Sequence, residues 1–468
     1  MKAGTSAGGP ASSLQSARFF ELADAEIPAT YRQRLSPRLR ILFLADDKHA
    51  ANVVLDHVSA IAGLSAHEVR VVNPIHDHVD TVICGPRFDV ILIHYSIFIL
   101  SDYFLPPPWR DYIRRDSRPK IQIIQDEHRH IERMKSAMAN LGICGVLSSL
   151  SVENLAKVYG GPLLPRTCFF SCLPGYISPA AHETSTPRIA DRPLDVVYRG
   201  RDLPFKLGRL AQEKELIGRK MKAIALANGL SVDIEWLEGK RIYGQDWPKF
   251  LMSGRATLGV EGGATIFDFN DDLDRKIDEY CASHPGAGFE ETWQAILAPY
   301  EGNVVHATIT PKIFESIALR TALILYPGHY RGVLEPGRHY VVLEPDGSNA
   351  ADVVAKIRDT SYLQNLVDRT YDDIMHRPAL QMSFYVNRLD RIMLGAWAQR
   401  RAEIGRSRAF FDDVRNTLVA IGERLYVKST TRIQSASWLF VTNYLKRDGI
   451  IRSGFSFVWS ALLHRRRD

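Results

Sequence analysis

Between Arg40 and Ser149, short apolar runs alternate with helix-length amphipathic stretches, and this alternation restricts the fold more than any other feature of the chain. The runs are RILFLADD (Arg40 to Asp47), HEVRVVN (His67 to Asn73), FDVILIHYSIFI (Phe88 to Ile99), KIQIIQDEH (Lys120 to His128) and GICGVLSS (Gly142 to Ser149). Short, nearly continuous apolar runs are strands covered on both faces. Strands separated by helices pair in parallel through right-handed crossovers. The expected class is α/β. Ligands on such sheets bind beyond the carboxyl ends of the strands, so the residues just after each run are the first candidates. Asp46 and Asp47 come after the first run without the glycine fingerprint of a dinucleotide fold. His94 extends the third run; a lone histidine there is also the ordinary core residue with its hydrogen bonds satisfied. Gln125-Asp126-Glu127-His128 is the densest polar cluster at any strand end. It suits removal of a hydroxyl proton, and equally a helix N-cap with first-turn acids.

Beyond Ser149 a second series begins. Thr167 to Asp191 is rich in Pro, Ser and Thr and reads as a linker. LDVVYRGRD (Leu194 to Asp202) resumes the strand pattern, and Arg199, Arg201, Lys206 and Arg209 cluster at its end. Such a cluster is either a solvated helix entrance or a set of fixed cations for an anion. VDIEWLEG is a further strand, Asp246 to Leu251 a short helix, and ATLGVEGG a strand ending at Glu261. Between Thr308 and Asn349 the pattern is helix, buried strand, turn and second strand. Pro311 suits the first helical turn, Ala322 to Tyr326 the strand, and Pro327-Gly328-His329 the turn. Glu315 is the anomaly, a carboxylate in an apolar helix directly before a buried strand. FNDDLDRKIDEY lacks the glycine and terminal glutamate of a calcium loop, so its acids read as a helix start and no metal is expected. Asn349 is the expected cap of the helix ADVVAKIRD, and Tyr371 to Leu394 is expected to be helical.

A chain of 468 residues exceeds one ordinary core, and two large domains are expected. No apolar run reaches membrane-spanning length, and the first residues lack the apolar core of a secretory signal. Five scattered cysteines make neither a disulfide framework nor a zinc site, which points to a reducing cytoplasm. From Thr431 to Asp468, seven Lys or Arg face two Asp, which is +5 of the chain's +6. The remainder is nearly neutral, against a nucleic-acid-binding surface. Ile450, Phe455, Trp459 and Leu462 beside His464-Arg465-Arg466-Arg467 suit an anionic membrane surface, or a helix packed on the body.

The segment KIFESIALRTALILYPGHYRGVL resembles the nucleotide-binding signature of retaining GT-B glycosyltransferases of the group 1 or family 4 type and their CgeB-like relatives. The resemblance covers about Arg40 to Leu394. It implies two Rossmann-like domains with a cleft between them, plus a helical C-terminal extension. The implied boundaries are a flexible leader over 1–36, an acceptor-side domain over 37–180 and a nucleotide-sugar domain over 181–370. A helix over 371–400 would cross back to the first domain, and 401–468 would form a basic helical tail. By the same resemblance, Glu315 holds the donor ribose and Gly328 and His329 lie near the sugar and diphosphate. Gly200-Arg201 and Lys206, with Arg199, would bind the diphosphate. FDVILIHYS resembles the strand whose histidine approaches the sugar, which implicates His94. Asp126, Glu127 and His128 would face the acceptor. The family pattern has a second glutamate eight residues before Glu315, where this chain has Ala307, and Glu261 is a candidate substitute. The implied activity is metal-independent transfer, without a cofactor, from a nucleotide diphosphate sugar to a glycan, lipid-linked or small-molecule acceptor. A GT-B epimerase and a degenerate glycan-binding or scaffolding protein remain open alternatives.

Overall fold

The computed structural model describes residues 17–24, 37–83, 85, 87–182, 184–403 and 417. The first series of runs forms a seven-stranded sheet of β1 (Arg18–Glu21), β2 (Arg40–Leu44), β3 (Glu68–Val72), β4 (Val90–Ile93), β5 (Lys120–Ile124), β6 (Gly145–Ser148) and β7 (Cys168–Ser171). Its spatial order is β3-β2-β4-β5-β6-β7-β1, and every pairing is parallel. All four residues of β4 are fully buried, as a central strand with helices on both faces must be. At about 1.5–3 kcal/mol for each large apolar side chain removed from water, these central strands dominate the stability of the sheet.

The second series builds β8 (Leu194–Arg199), β9 (Val232–Glu235), β10 (Gly254–Gly259), a hairpin of β11 (Gly262–Ala264) and β12 (His306–Thr308), then β13 (Ala322–Leu325) and β14 (Val341–Val342). The five-stranded sheet runs β9-β8-β10-β13-β14, again wholly parallel. Both sheets are doubly wound, and each reverses direction beside its first long strand, between β2 and β4 and between β8 and β10. Such switch points open a crevice at the strands' carboxyl ends. Residues 382–400 are helical and return to the first sheet. Met382, Tyr385, Val386, Leu389 and Met393 pack there with Ile41, Phe43, Leu92 and Ile123. Two Rossmann-like halves tied by a returning helix constitute the GT-B architecture.

Four expectations need correction. Arg18–Glu21, inside the stretch read as a leader, is an edge strand: Phe19 and Phe20 stack on Phe169 and Phe170 at 5.4 and 5.5 Å. The stretch read as linker contains β7, because CFFS is apolar enough to continue the sheet despite its Pro- and Ser-rich surroundings. The helix expected over Tyr371 to Leu394 is two helices, broken at the turn Pro378–Leu380, where proline lacks the N–H to continue. Asn349 stands at its helix start, but its side chain bonds Glu344 N–H and Val342 O instead of capping.

The described residues among 1–79 and 87–400 form one compact unit. The described residues among 80–86 and 401–468 belong to a second unit, which includes a helical turn, Asp80–Ile83. The tail read as a membrane surface lies outside the described residues. Among the described residues, no helix is long and apolar enough to cross a membrane.

Candidate functional site

The carboxyl ends of the two sheets meet. Asp268 N–H donates to the His128 carbonyl (2.9 Å), and Asn154 Nδ2 to the Val305 carbonyl (2.7 Å). Ser149 Oγ lies 3.2 Å from His306 Nε2, and Arg331 donates to Ser171 Oγ at 3.0 Å. Asn52, at the start of helix Asn52–Leu64, donates to the Gly244 carbonyl at 3.0 Å. The loops leaving the first sheet therefore face the loops leaving the second.

On the first side, Asp126 is exposed and has left-handed backbone (φ 58°), as does His130 (φ 54°). Their loop carries His128 into the junction. Burial holds the His128 imidazole down at about 4, against the pull of Asp126, so the ring is neutral near pH 7 and can accept a proton. Burial likewise holds His306 at about 4, aided by Arg331 and His128. Glu127 does not face the junction. It is 6% exposed; Ser148 Oγ lies 2.7 and 2.8 Å from its two carboxyl oxygens, and Tyr159 OH donates to it at 2.9 Å. Burial pushes its carboxyl up to about 8. His94 is fully buried. Its Nε2 lies 2.9 Å from His57 Nδ1, while its Nδ1 accepts from Ser96 N–H (3.2 Å) and contacts Ser96 Oγ (2.8 Å). Each of these two expected site residues is a buried polar group whose hydrogen-bond partners lie within its own half.

On the second side, Glu315 sits on helix Pro311–Ala318, and its Oε2 accepts from Trp247 Nε1 at 2.8 Å. Burial raises its carboxyl above the usual range despite the Trp247 bond and Lys312. Glu261, just after β10, accepts the Tyr330 N–H at 2.7 Å. It abuts Gly328 so closely that a Cβ there would lie 2.8 Å from its Oε2. Glu261 also precedes Gly262, which pairs with Thr308, and Gly263, which pairs with Ala307. It thus stands beside the strand that carries Ala307. His329 is exposed at the same turn.

The basic candidates are differently placed from one another. Arg199 is committed to Asp233 through two bonds of 2.7 and 2.8 Å and lies over the Phe250 ring at 4.4 Å. Lys206 is paired with Asp274. Arg201 is exposed and lies 3.6 Å from Glu238. Two lysines that drew no attention in the sequence occupy the junction instead. Lys214, on helix Arg209–Asn228, makes no side-chain hydrogen bond or ion pair among the described residues, and burial lowers its ammonium. Lys312 lies 4.0 Å above the Tyr198 ring and 3.5 Å from the Arg199 carbonyl, with no carboxylate in ion-pair range. Burial brings it down to about 7, against Glu315. No periodicity marks these lysines, because only the helix register and strand order bring them together.

Among the described residues, no group of three His, Cys, Asp or Glu is arranged to hold a metal. Asp268 caps the helix start, accepting from the N–H groups of Asn270, Asp272 and Leu273.

No protein-family model matches the sequence, and no curated protein matches it. Among solved structures, the chain is similar to an alpha-glucosyltransferase in complex with UDP and a mismatched DNA 13-mer. That match has 9% identity and TM-score 0.48, over 76% of this chain and 99% of the other. It is similar to the T4 phage beta-glucosyltransferase (10%, 0.40, 77% and 99%) and to Anabaena Alr3699/HepE in complex with UDP (11%, 0.39, 76% and 100%). Superpositions this loose do not establish kinship.

Proposed function

We propose that this protein is a glycosyltransferase that moves a sugar from a nucleotide diphosphate donor to a glycan, lipid-linked or small-molecule acceptor, with retention and without a metal. One observation carries the reading. A half-buried carboxylate, Glu315, and two lysines without a carboxylate in ion-pair range, Lys214 and Lys312, stand at the second sheet's switch point, with Asp126 facing Lys214 from the first half. In the proposed reaction the bond between the sugar's anomeric carbon and the diphosphate oxygen breaks, and a bond to the acceptor oxygen forms on the same face. The acceptor proton passes to the leaving phosphate, so no enzymic nucleophile is required. Negative charge grows on that phosphate, and fixed cations there lower the barrier. Glu315 grips the ribose, Glu261 and His329 border the sugar, Gly328 lets the turn approach it, and Asp126 and His128 orient the acceptor.

A thermal-shift screen against UDP, GDP, ADP, CMP and their sugars, repeated with Glu315→Ala, tests the reading. The expected result is a rise with one nucleotide family, lost in the variant. A ligand at a hundredfold excess over its Kd stabilises by about 2.7 kcal/mol. No rise with any of them counts against the reading. Binding without turnover points instead to a degenerate GT-B binding protein, which the sealed His94 and the alanine at position 307 favour.

A further inference from the structure

Two lysines with no carboxylate in ion-pair range stand near the N-terminus of one helix, Lys312 on that helix and Lys214 on helix Arg209–Asn228. Helix Pro311–Ala318 begins at Thr310, whose side chain makes no capping bond, so the positive end of the helix dipole is uncovered. Gly262 marks the spot: a Cβ there would lie 2.8 Å from Thr310 Cγ2 and 4.0 Å from Lys214 Nζ. Lys312 occupies the first turn of the same helix, and the nearby Lys214 ammonium makes it harder still to charge. Burying a charge without a counter-ion costs several kcal/mol. Two like charges held together in that state, beside a helix N-terminus, favour an anion that compensates all three. The cations expected from spacing are less available, since Lys206 is spent on Asp274 and Arg201 lies out at Glu238.

We propose that Lys214 and Lys312, at the N-terminus of helix Pro311–Ala318, form the seat of a phosphate-class polyanion. Given a nucleotide diphosphate sugar as donor, on which this step rests, the seat takes the donor's diphosphate. Arg201 then serves at the rim, and Lys206 holds the segment Leu273–Ser283 through Asp274.

The charged and titratable groups facing the lysines are Arg199 and Tyr198 of β8, Arg201 after it, Asp126 after β5, and Glu315 on the helix itself. None supplies a full counter-charge, so an arriving anion makes both lysines more basic and draws in protons. The probe is inorganic pyrophosphate, titrated calorimetrically into the full chain at about pH 8 in two buffers of different ionisation enthalpy. Wild type is expected to bind with net proton uptake. Lys214→Met and Lys312→Met are each expected to lose about tenfold or more in affinity, whereas Arg201→Ala and Lys206→Ala lose less than about threefold. The proposal falls if pyrophosphate does not bind, if binding takes up no protons, or if the two controls lose binding while the methionine variants keep it. The proton count needs only wild-type protein, so a variant that fails to fold does not spare the proposal. Pyrophosphate binding with no response to any nucleotide would keep the anion seat and remove the glycosyl-donor reading.

Discussion

Glu127 stands in a strand-end cluster that reads as catalytic, yet its carboxyl is tied to Ser148 and Tyr159. The strand-end cluster QDEH offers three ionisable side chains in a row, but strand-end backbone turns them in different directions. Asp126 and His128 go to the junction, and Glu127 goes inward to Ser148 and Tyr159. Its native carboxyl titrates at about 8, above its ordinary value. Across that interval the unfolded chain has lost a proton that the folded chain keeps, so this group makes stability fall as pH rises, by up to about 1.4 kcal/mol per pH unit. Glu127→Gln keeps the shape, accepting from Tyr159 and donating to Ser148, and removes the titration. The melting temperature of the variant should therefore gain on wild type between about pH 6.5 and 8. A constant difference across that range would show that Glu127 is already ionised in the native state. The strand-end position of Glu127 was legible in the sequence, but its direction was not, because direction depends on φ at Asp126. Lys214 and Lys312 were illegible for the opposite reason. A lysine on an amphipathic helix ordinarily lies in solvent, and only tertiary packing encloses these two.

At the scale of elements, strands β2 to β6 were readable because each is a run rich in Val, Ile and Leu set between helix-length polar stretches. β1 and β7 were not, since each lies in a stretch whose Ser, Pro and Gly content reads as leader or linker. The Gly-Arg pair after β8 was read for its arginine, yet the glycine has a firm structural reason. A Cβ at Gly200 would lie 2.7 Å from the Tyr198 ring and 2.8 Å from the Lys214 carbonyl, which itself accepts the Tyr198 hydroxyl at 2.7 Å. Gly200 thus lets helix Arg209–Asn228 close onto the end of β8 and fixes where Lys214 stands. Gly200→Ala should cost about 1–3 kcal/mol, because a backbone carbonyl cannot step aside as a side-chain tip can. Gly239→Ala, with nothing within 4 Å, is the matched control and should change the unfolding midpoint little. Equal effects from the two substitutions would mean that the helix and strand are not in tight contact at Gly200.

At the scale of the whole molecule, the two-sheet plan was legible from alternation, chain length and the family resemblance, but the way the halves are joined was not. The join depends on a few polar contacts from the β11–β12 hairpin and its insertion, and on a helix recruited from far along the chain. His306 lies in that join, beside Ser149, Arg331 and His128. Its native imidazole titrates at about 4, below its ordinary value near 6.5. Between those values the unfolded or opened state binds a proton that the closed state refuses, so closure is fully stabilised near neutral pH and weakens as pH falls through the interval. His128 has the same sign and lies at the same join, so the two add; His57 adds to the acid sensitivity of the first half alone. Hydrogen exchange read between about pH 6.5 and 4.5, corrected for intrinsic rates, should show protection lost at 303–310 and 149–154 before the central strands β4 and β5. His306→Asn, which stays neutral, should move that loss to lower pH. Simultaneous loss of protection in the join and the central strands, unaltered by the substitution, would mean the halves part only on global unfolding. The cleft would then have to admit its ligands without opening.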